Sequence, residues 1–378
     1  MEPQIAADAA EIAAHAEREL EALVAISSPS GDLDGAEEAV ALCGALLPPQ
    51  AQTERVPCST PGNAPDLIAR IRGSGAGRML LVGHLDTVIA HHAHHPLRRD
   101  GDRLYGPGTV DMKGGVVLAL GVARALSARP ESFEELSLLF VTDEEWRTIE
   151  FAHGPRFAGY HACLCFEAGE RTPEGEEGVV VRRKAAGTLR VSATGRASHS
   201  GSAPDHGRNA LLALAQAALQ IAAHHDPHGP ERMSVVPTVV RSGEAFNVVP
   251  AAGELLCDMR ADGLDAFEAV LASVPREIAG VSLHATLERR WPGMDARAAT
   301  SELLTAAGSR LGRPIAGASR GGASDASHFA GGIEWTVDGL GPRGGGAHSP
   351  GEFVLTASLQ QRAEVALAVA GEVLARVS

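Results

Sequence analysis

The sequence predicts an α/β protein on an open mixed sheet, with a smaller β-α-β-β-α-β unit inserted into it. Three observations carry that reading. Apolar, strand-like runs alternate with helical periods through the first half of the chain. The residues able to do chemistry stand just after those runs, where open α/β sheets collect ligands. From about Arg183 the texture changes to alternating strands and short helices, and near Asp295 the first texture resumes.

Taken in order, residues from about Ile5 to Ile26 show helical apolar spacing and stop at Ser27-Ser28-Pro29-Ser30-Gly31. Leu67–Ile71 and Met79–Val82 read as strands. The glycine-rich segment between them, Gly73 to Gly77, leads into a strand and not a helix, so it fails as a phosphate loop and is expected to be a hairpin turn. Gly114 to Leu126 reads as a helix directly behind Asp111, and Leu136–Val141 as a buried strand ending at Asp143-Glu144-Glu145. Ala162 to Phe166 is a further strand, whose Cys163 and Cys165 are expected to be core residues and not metal ligands. Thr188–Ala193, Met233–Val240, Glu254–Arg260 and Val281–Leu287 read as strands, with helices over Asn209–Ala223 and Leu264–Ala272. Their order is the ferredoxin-like one. The predicted divisions are 1–183 and 295–378 for a discontinuous main domain and 184–294 for the insertion.

Composition narrows the function. The net charge of −14 argues against nucleic acid, whose binding rests on Lys and Arg, and against anionic membrane surfaces. No run approaches the roughly 20 apolar residues of a membrane helix. Met1 to Gln4 has no basic n-region, and the Ala-rich stretch behind it carries Asp8, Glu11 and Glu17, an amphipathic helix and not a signal peptide. Five scattered cysteines fit a reduced, cytoplasmic protein.

The chemistry centres on Gly83-His84-Leu85-Asp86-Thr87 and Gly108-Thr109-Val110-Asp111-Met112-Lys113-Gly114-Gly115. Asp143-Glu144-Glu145, Glu167 and His348 follow, also in loop-like settings behind apolar runs. Imidazoles mixed with carboxylates suit zinc, and a carboxylate able to bridge suits two closely spaced metals. His84 and Asp86 share a face of extended backbone, so Asp86 can accept the second imidazole N–H and fix the tautomer. Asp111 lies in a Gly-flanked loop and can offer one oxygen to each metal. Glu144 and Glu145 diverge, one free to bind metal and the other to take a proton from water.

These motifs, His-x-Asp-Thr, Gly-x-Gly-x-x-Asp-x-Lys-Gly-Gly, Asp-Glu-Glu and a late Gly-x-x-His, resemble those of the co-catalytic zinc hydrolases that include glutamate carboxypeptidase, acetylornithine deacetylase, succinyl-diaminopimelate desuccinylase and the aminoacylases. The resemblance spans almost the whole chain, insertion included. It implies a di-zinc hydrolase domain with an inserted dimerisation or lid domain. Asp111 would bridge the metals, with His84 and Glu167 on one and Glu145 and His348 on the other; cobalt or manganese are possible substitutes for zinc. Glu144 would be the general base that activates the attacking water and then the acid that protonates the leaving nitrogen. A cis peptide after Asp111 is also implied.

His199, in Gly195-Arg196-Ala197-Ser198-His199-Ser200-Gly201, would reach across a homodimer interface and stabilise the oxyanion in the partner's site. Asn247 and Arg260 match the family's substrate-binding pair, and Gly321-Gly322-Ala323-Ser324-Asp325 its loop of N–H groups for the substrate carboxylate. Gly106-Pro107-Gly108 and the stretch from Gly195 to Asn209 lean toward the glutamate carboxypeptidase branch.

One departure stands out. The family has small residues after the second Glu, and this chain has Trp146-Arg147-Thr148-Ile149-Glu150, which puts Trp146 beside the base. His91-His92-Ala93-His94-His95 resembles a metal tract but is expected to be an exposed loop near the pocket mouth. Arg182-Arg183-Lys184, at the domain junction, is expected to be solvated. Ser198 and Ser200 flank a His without the strand-turn-helix of a nucleophile elbow. The expectation is a two-zinc amide hydrolase acting on N-acyl amino acids or short peptides with a free C-terminal carboxylate. Its rivals are a small-acyl deacetylase and a catalytically idle metal-binding protein on the same fold.

Overall fold

Seven consecutive buried positions, Glu135–Val141, form the strand around which the largest sheet is ordered. The computed structural model describes residues 1–378. The six strands run Gln52–Val56, Asp66–Arg72, Glu135–Val141, Arg78–His84, Ala162–Cys165 and Trp335–Val337. Arg78–His84 is parallel to both its neighbours, whereas Asp66–Arg72 is antiparallel to both of its own. Parallel strands need cover on both faces, and alternate residues supply it. Leu81, Leu138, Phe140 and Leu164 join a core of 54 residues, while Leu80, Val82, Leu139 and Cys163 join a separate one of 17. The larger core lies under three helices, Pro3–Ala25, Lys113–Ser127 and Thr356–Val377, and the smaller holds Phe151, Phe157, Tyr160 and Phe329. Cys163 and Cys165 are core residues, as expected.

The open mixed sheet is therefore the one the sequence predicts, with one correction. Asp66–Arg72 and Arg78–His84 are not a hairpin, because Glu135–Val141 lies between them and pairs with each. The glycine segment instead wraps the approach to that central strand: Gly73 N donates to Glu134 O, Gly75 N to Phe133 O, and Glu134 N to Gly77 O. A Cβ on Gly73 would stand 2.1 Å from Phe133 O, and one on Gly75 2.4 Å from Glu131 O. These glycines answer to close backbone approach and not to a tight turn.

A second, antiparallel sheet is built entirely between residues 185 and 291. Its order is Ser234–Ser242, Ala252–Ala261, Ala185–Thr194, Val281–Trp291, Glu277–Ile278. With the helices Ala210–Ala222 and Asp265–Ser273 it follows the β-α-β-β-α-β order around its own core of 20 residues. Asn209 caps the first of these helices, its side-chain oxygen accepting from Leu212 N at 3.2 Å. The edge strand Ser234–Ser242 carries Pro237 beside a register shift, a position an edge tolerates.

The two crossings into this sheet lie together. Ala186 is opposite Trp291, and Met294–Asp295 pairs antiparallel with Arg183 and Arg182. Here the expectation of a solvated basic triplet fails for Arg183, which is 5% exposed. Its Nε meets Asp338 Oδ2 at 2.5 Å and its Nη1 meets Gly322 O at 2.9 Å. A buried guanidinium persists where carboxylate and carbonyl acceptors surround it. No helix is long and apolar enough to cross a membrane.

Candidate metal centre

Five chain segments converge at one end of the large sheet. His84 ends the central parallel strand, Glu167 follows Ala162–Cys165, and Glu144 and Glu145 follow Glu135–Val141. Asp111 sits in the loop before the helix Lys113–Ser127. In that loop Gly108 takes φ +77°, which favours glycine, and the Asp111–Met112 peptide is cis, as the resemblance implies. His348 approaches from the far end of the sequence on a backbone at φ +63°, left-handed ground that only a few per cent of non-glycine residues adopt.

The Asp111 carboxylate lies between the two imidazoles. Its Oδ1 is 3.1 Å from His84 Nε2 and its Oδ2 is 3.1 Å from His348 Nε2. Glu167 Oε1 is 3.9 Å from the same His84 nitrogen, and Glu145 Oε1 is 3.1 Å from His348 Nε2. That Glu145 oxygen is buried and makes no aligned hydrogen bond despite the short approach. Each imidazole thus turns one nitrogen and a pair of carboxylate oxygens toward a common point. An orphaned buried oxygen within a mixed imidazole and carboxylate donor set fits divalent-cation binding, with His84, Asp111 and Glu145 offering atoms within 4.8 Å of one another.

The electrostatics agree. Burial drives the Glu144 carboxyl well above its usual range, and Glu167 is pushed up to about 8 by burial and by the Asp111 charge. For Asp111, burial is outweighed by His348 and His84, which hold it below the usual carboxylate range. Asp111 and Glu145 in turn draw His348 up to about 10. Carboxyls crowded together in this way shed their mutual repulsion either by holding protons, as the raised Glu144 and Glu167 do, or by sharing a cation.

Asp86 does more than the sequence suggested. His84 Nδ1 makes its nearest contact with the Asp86 carbonyl at 3.0 Å, and Asp86 Oδ1 is 3.3 Å away. The two Asp86 oxygens also accept from Glu144 N at 3.1 Å, Glu145 N at 3.2 Å and Ser30 Oγ at 2.6 Å. The residue therefore fixes the acidic loop along with the imidazole.

His199 and Asn247 are held together elsewhere. Ser200 N donates to Asn247 O at 3.0 Å, and His199 Nδ1 accepts from Gly201 N and Ser202 N, which leaves Nε2 free. Both residues are exposed, and no hydrogen bond or ion pair joins them to the His84–Asp111 cluster. Arg260 is forked onto Asp258, with both contacts at 3.0 Å. The N–H groups of Gly321 and Gly322 donate to no protein carbonyl, while the Gly322 carbonyl is taken by Arg183. The histidine tract is exposed except around His94, and Ser27 Oγ and Asp32 hold His91.

Several residues escaped the sequence reading. Glu352, 2% exposed, accepts from Gly108 N at 2.9 Å, Val110 N at 2.8 Å and Asp111 N at 2.9 Å. Its only sequence signal was its place four residues after His348. Trp146 turns outward against Gly31, 67% exposed, and it is the next residue, Arg147, that enters the interior at 1%. Arg289 lies near Glu144 and Arg260 with its Nε buried and unpartnered. Alternation along its strand was the one available clue.

Comparison with known proteins gives this arrangement a family. The profile of peptidase family M20/M25/M40 matches residues 80–372. Carboxypeptidase G2 of Pseudomonas sp. (strain RS-16) is 27% identical over 365 residues, covering 91% of this chain and 85% of that protein. Acetylornithine deacetylase of Aliivibrio fischeri (strain ATCC 700601 / ES114) is 30% identical over 249 residues, 60% of this chain and 61% of its own. Among solved structures, aminopeptidase PepT from Bacillus cereus ATCC 10987 superposes with a TM-score of 0.76 at 18% identity, covering 96% and 98% of the two chains. The YXEP protein of Bacillus subtilis, a dinuclear metal binding peptidase, gives 0.69 at 16% identity over 97% and 99%. With a profile match that spans every residue from His84 to His348, the chain belongs to peptidase family M20/M25/M40 and is a hydrolytic enzyme.

Proposed function

We propose that this protein is a two-zinc hydrolase that cleaves the amide bond of N-acyl amino acids or short peptides bearing a free C-terminal carboxylate. One observation carries the reading: the two Asp111 oxygens each lie 3.1 Å from a different imidazole, His84 on one side and His348 on the other. Glu167 completes the first set of donors and Glu145 the second. Two divalent cations bound there supply Lewis-acid polarisation of the scissile carbonyl and lower the pKa of water. Glu144, buried and inclined to hold a proton, takes one from the attacking water and returns it to the leaving nitrogen. Asp86 orients His84 and the acidic loop.

The substrate carboxylate is assigned to the free N–H groups of Gly321 and Gly322 together with the cations of the inserted sheet. Arg260 and Asn247 belong to that grip. Arg289 joins it on the strength of its unpartnered Nε near Glu144. The similarity to a carboxypeptidase over most of both chains supports this substrate class. The deacetylase similarity favours small acyl groups as the second reading.

A homodimer is part of the proposal, with residues 184–294 carrying the contact. Leu212 and Leu219 on the helix, Val236 and Val240 on the edge strand, and Phe246, fully exposed, leave apolar side chains uncovered on the inserted unit. His199, beside the Phe246–Asn247 segment through the Ser200 N to Asn247 O hydrogen bond, would act in the partner's site. The five free thiols fit a reducing, cytoplasmic setting.

The test is metal content per chain together with hydrolysis of a panel of N-acyl amino acids, folate-type glutamates and dipeptides, before and after chelation. Two zinc ions per chain, with turnover lost on chelation and restored by zinc, is the expected result. Preference for acetyl-amino acids would select the deacetylase reading. Bound metal without turnover across the panel would refute the hydrolase assignment in favour of an idle metal-binding protein.

A further inference from the structure

Arg147 occupies the seam where three parts of the molecule meet. Its side chain is fully buried. Nη1 donates to Asp143 Oδ1 at 2.7 Å, one residue before the proposed base, and Nη2 contacts Asp325 Oδ1 at the end of the Gly321–Asp325 loop. The guanidinium lies 4.6 Å from the ring centres of both Trp291 and Phe151. Trp291 Nε1 also donates to the Arg147 carbonyl at 3.2 Å. Trp291 is the residue at which the chain leaves the inserted sheet, opposite Ala186 where it enters. The same indole ring carries the Arg289 guanidinium at 4.7 Å.

A planar fork with five donors can hold two carboxylates at once and still stack on aromatic faces; an ammonium cannot do all three. The contact with Asp143 lies within one turn, but the one with Asp325 spans 178 residues of sequence, so no local constraint forces the two to share one guanidinium. What Arg147 joins is specific: the loop bearing Glu144, the loop whose free N–H groups are assigned above to the substrate carboxylate, and the strand bearing Arg289.

We propose that Arg147 is a positioning residue that couples the grip on the substrate carboxylate to the placement of the Glu144 carboxylate, with Trp291 as the contact to the inserted sheet. The inference rests on the hydrolase reading above. Binding energy gathered at Gly321, Gly322 and Arg289 is transmitted through one rigid cation to the acidic loop, so the base is aligned when the carboxylate is seated. Misplacement of a base by about 1 Å is enough to cost a factor near 10² in rate.

The test uses full-length, zinc-loaded Arg147→Lys, Arg147→Gly and Trp291→Phe. Arg147→Lys, which keeps the charge and loses the fork, is expected to retain the fold and both metals while kcat falls by about 10²-fold, the scale for a misplaced catalytic group. KM should stay within a few-fold of wild type. Millimolar guanidinium should recover kcat in Arg147→Gly, and Trp291→Phe should show a smaller loss of the same kind. Amide hydrogen exchange should rise together in residues 143–147 and 321–325 of Arg147→Lys, and this readout needs no turnover. Unchanged kcat in Arg147→Lys, or a loss that guanidinium cannot rescue and that tracks lost metal or lost fold, would overturn the coupling. So would exchange that rises in only one of the two loops. A wild-type protein without turnover refutes the hydrolase reading instead, and the exchange experiment still decides whether Arg147 ties the loops.

Discussion

Replacing Glu352 tests how the Asp111 loop is held. The side chain is buried and accepts three backbone N–H groups, from Gly108, Val110 and Asp111, at 2.8 to 2.9 Å. Its own carbonyl accepts Gly106 N at 3.0 Å, and its own N–H closes onto Ser349 O, next to His348. One residue therefore sets the loops that carry both Asp111 and His348. In Glu352→Ala three buried donors lose their acceptor at ~1–3 kcal/mol each, and partial hydration of the gap leaves a net loss of roughly 3–6 kcal/mol. Glu352→Gln keeps one oxygen but turns an NH2 toward an N–H, for about 1–3 kcal/mol. Urea denaturation of the chelated protein measures this directly, and isothermal titration with zinc measures the second consequence, an affinity about 10–100-fold weaker, as for other groups that orient ligands. Glu352→Ala with wild-type stability and wild-type zinc affinity would refute the argument, since it would show that the loop holds itself.

Three further outcomes are expected. Glu144→Gln retains both zinc ions by elemental analysis and loses about 10²–10⁴-fold in kcat, the range for a general base; normal turnover with metal retained removes Glu144 from that role. Mixing inactive His199→Ala with inactive Glu144→Gln, under conditions that exchange subunits, restores activity through heterodimers with one complete site. Failure to restore it, with exchange verified by mass spectrometry, rules out action in trans. His328 stacks on Phe151 at 4.7 Å and lies 4.8 Å from Trp291, and burial together with the Arg147 and Arg289 charges depresses its pKa to about 3. Above about pH 6.5 it is neutral in both folded and unfolded chains; below that the unfolded chain takes up a proton that the folded one refuses, so stability falls with pH by up to ~1.4 kcal/mol per unit toward pH 3. The acid limb of a melting-temperature profile should be shallower in His328→Asn, and an unchanged limb contradicts the depressed pKa.

Of the proposed ligands, His84, Glu145 and Glu167 were legible in sequence because each stands at or just behind a buried strand, whose burial fixes where the next polar residue emerges. The strand Glu135–Val141 was equally legible, yet its partners were not. Pairing between Asp66–Arg72 and Arg78–His84 looked local, and only the competition of a fully buried strand about fifty residues onward separates them. Arg147, Arg183 and Glu352 were invisible for a different reason. Charged residues default to the surface, and the hydrogen-bond partners that make their burial possible, Asp325, Asp338 and the Asp111 loop amides, are distant in sequence. Trp146 drew attention by its size, while the smaller surprise beside it went inside.

The register of Arg182 and Arg183 against Asp295 and Met294 has a consequence for how the chain assembles. The main sheets see residues 184–293 as the tip of a hairpin. Once the inserted sheet has collapsed on its own local contacts, the loop left to close is a few residues long and not the whole insertion, and closure entropy grows only with the logarithm of that length. Late contacts such as Ile315–Arg320 alongside Glu177–Arg183 thus have a lower effective contact order than their sequence separation implies. The insertion can lengthen, shorten or diverge in surface without slowing the formation of the sheet that holds His84.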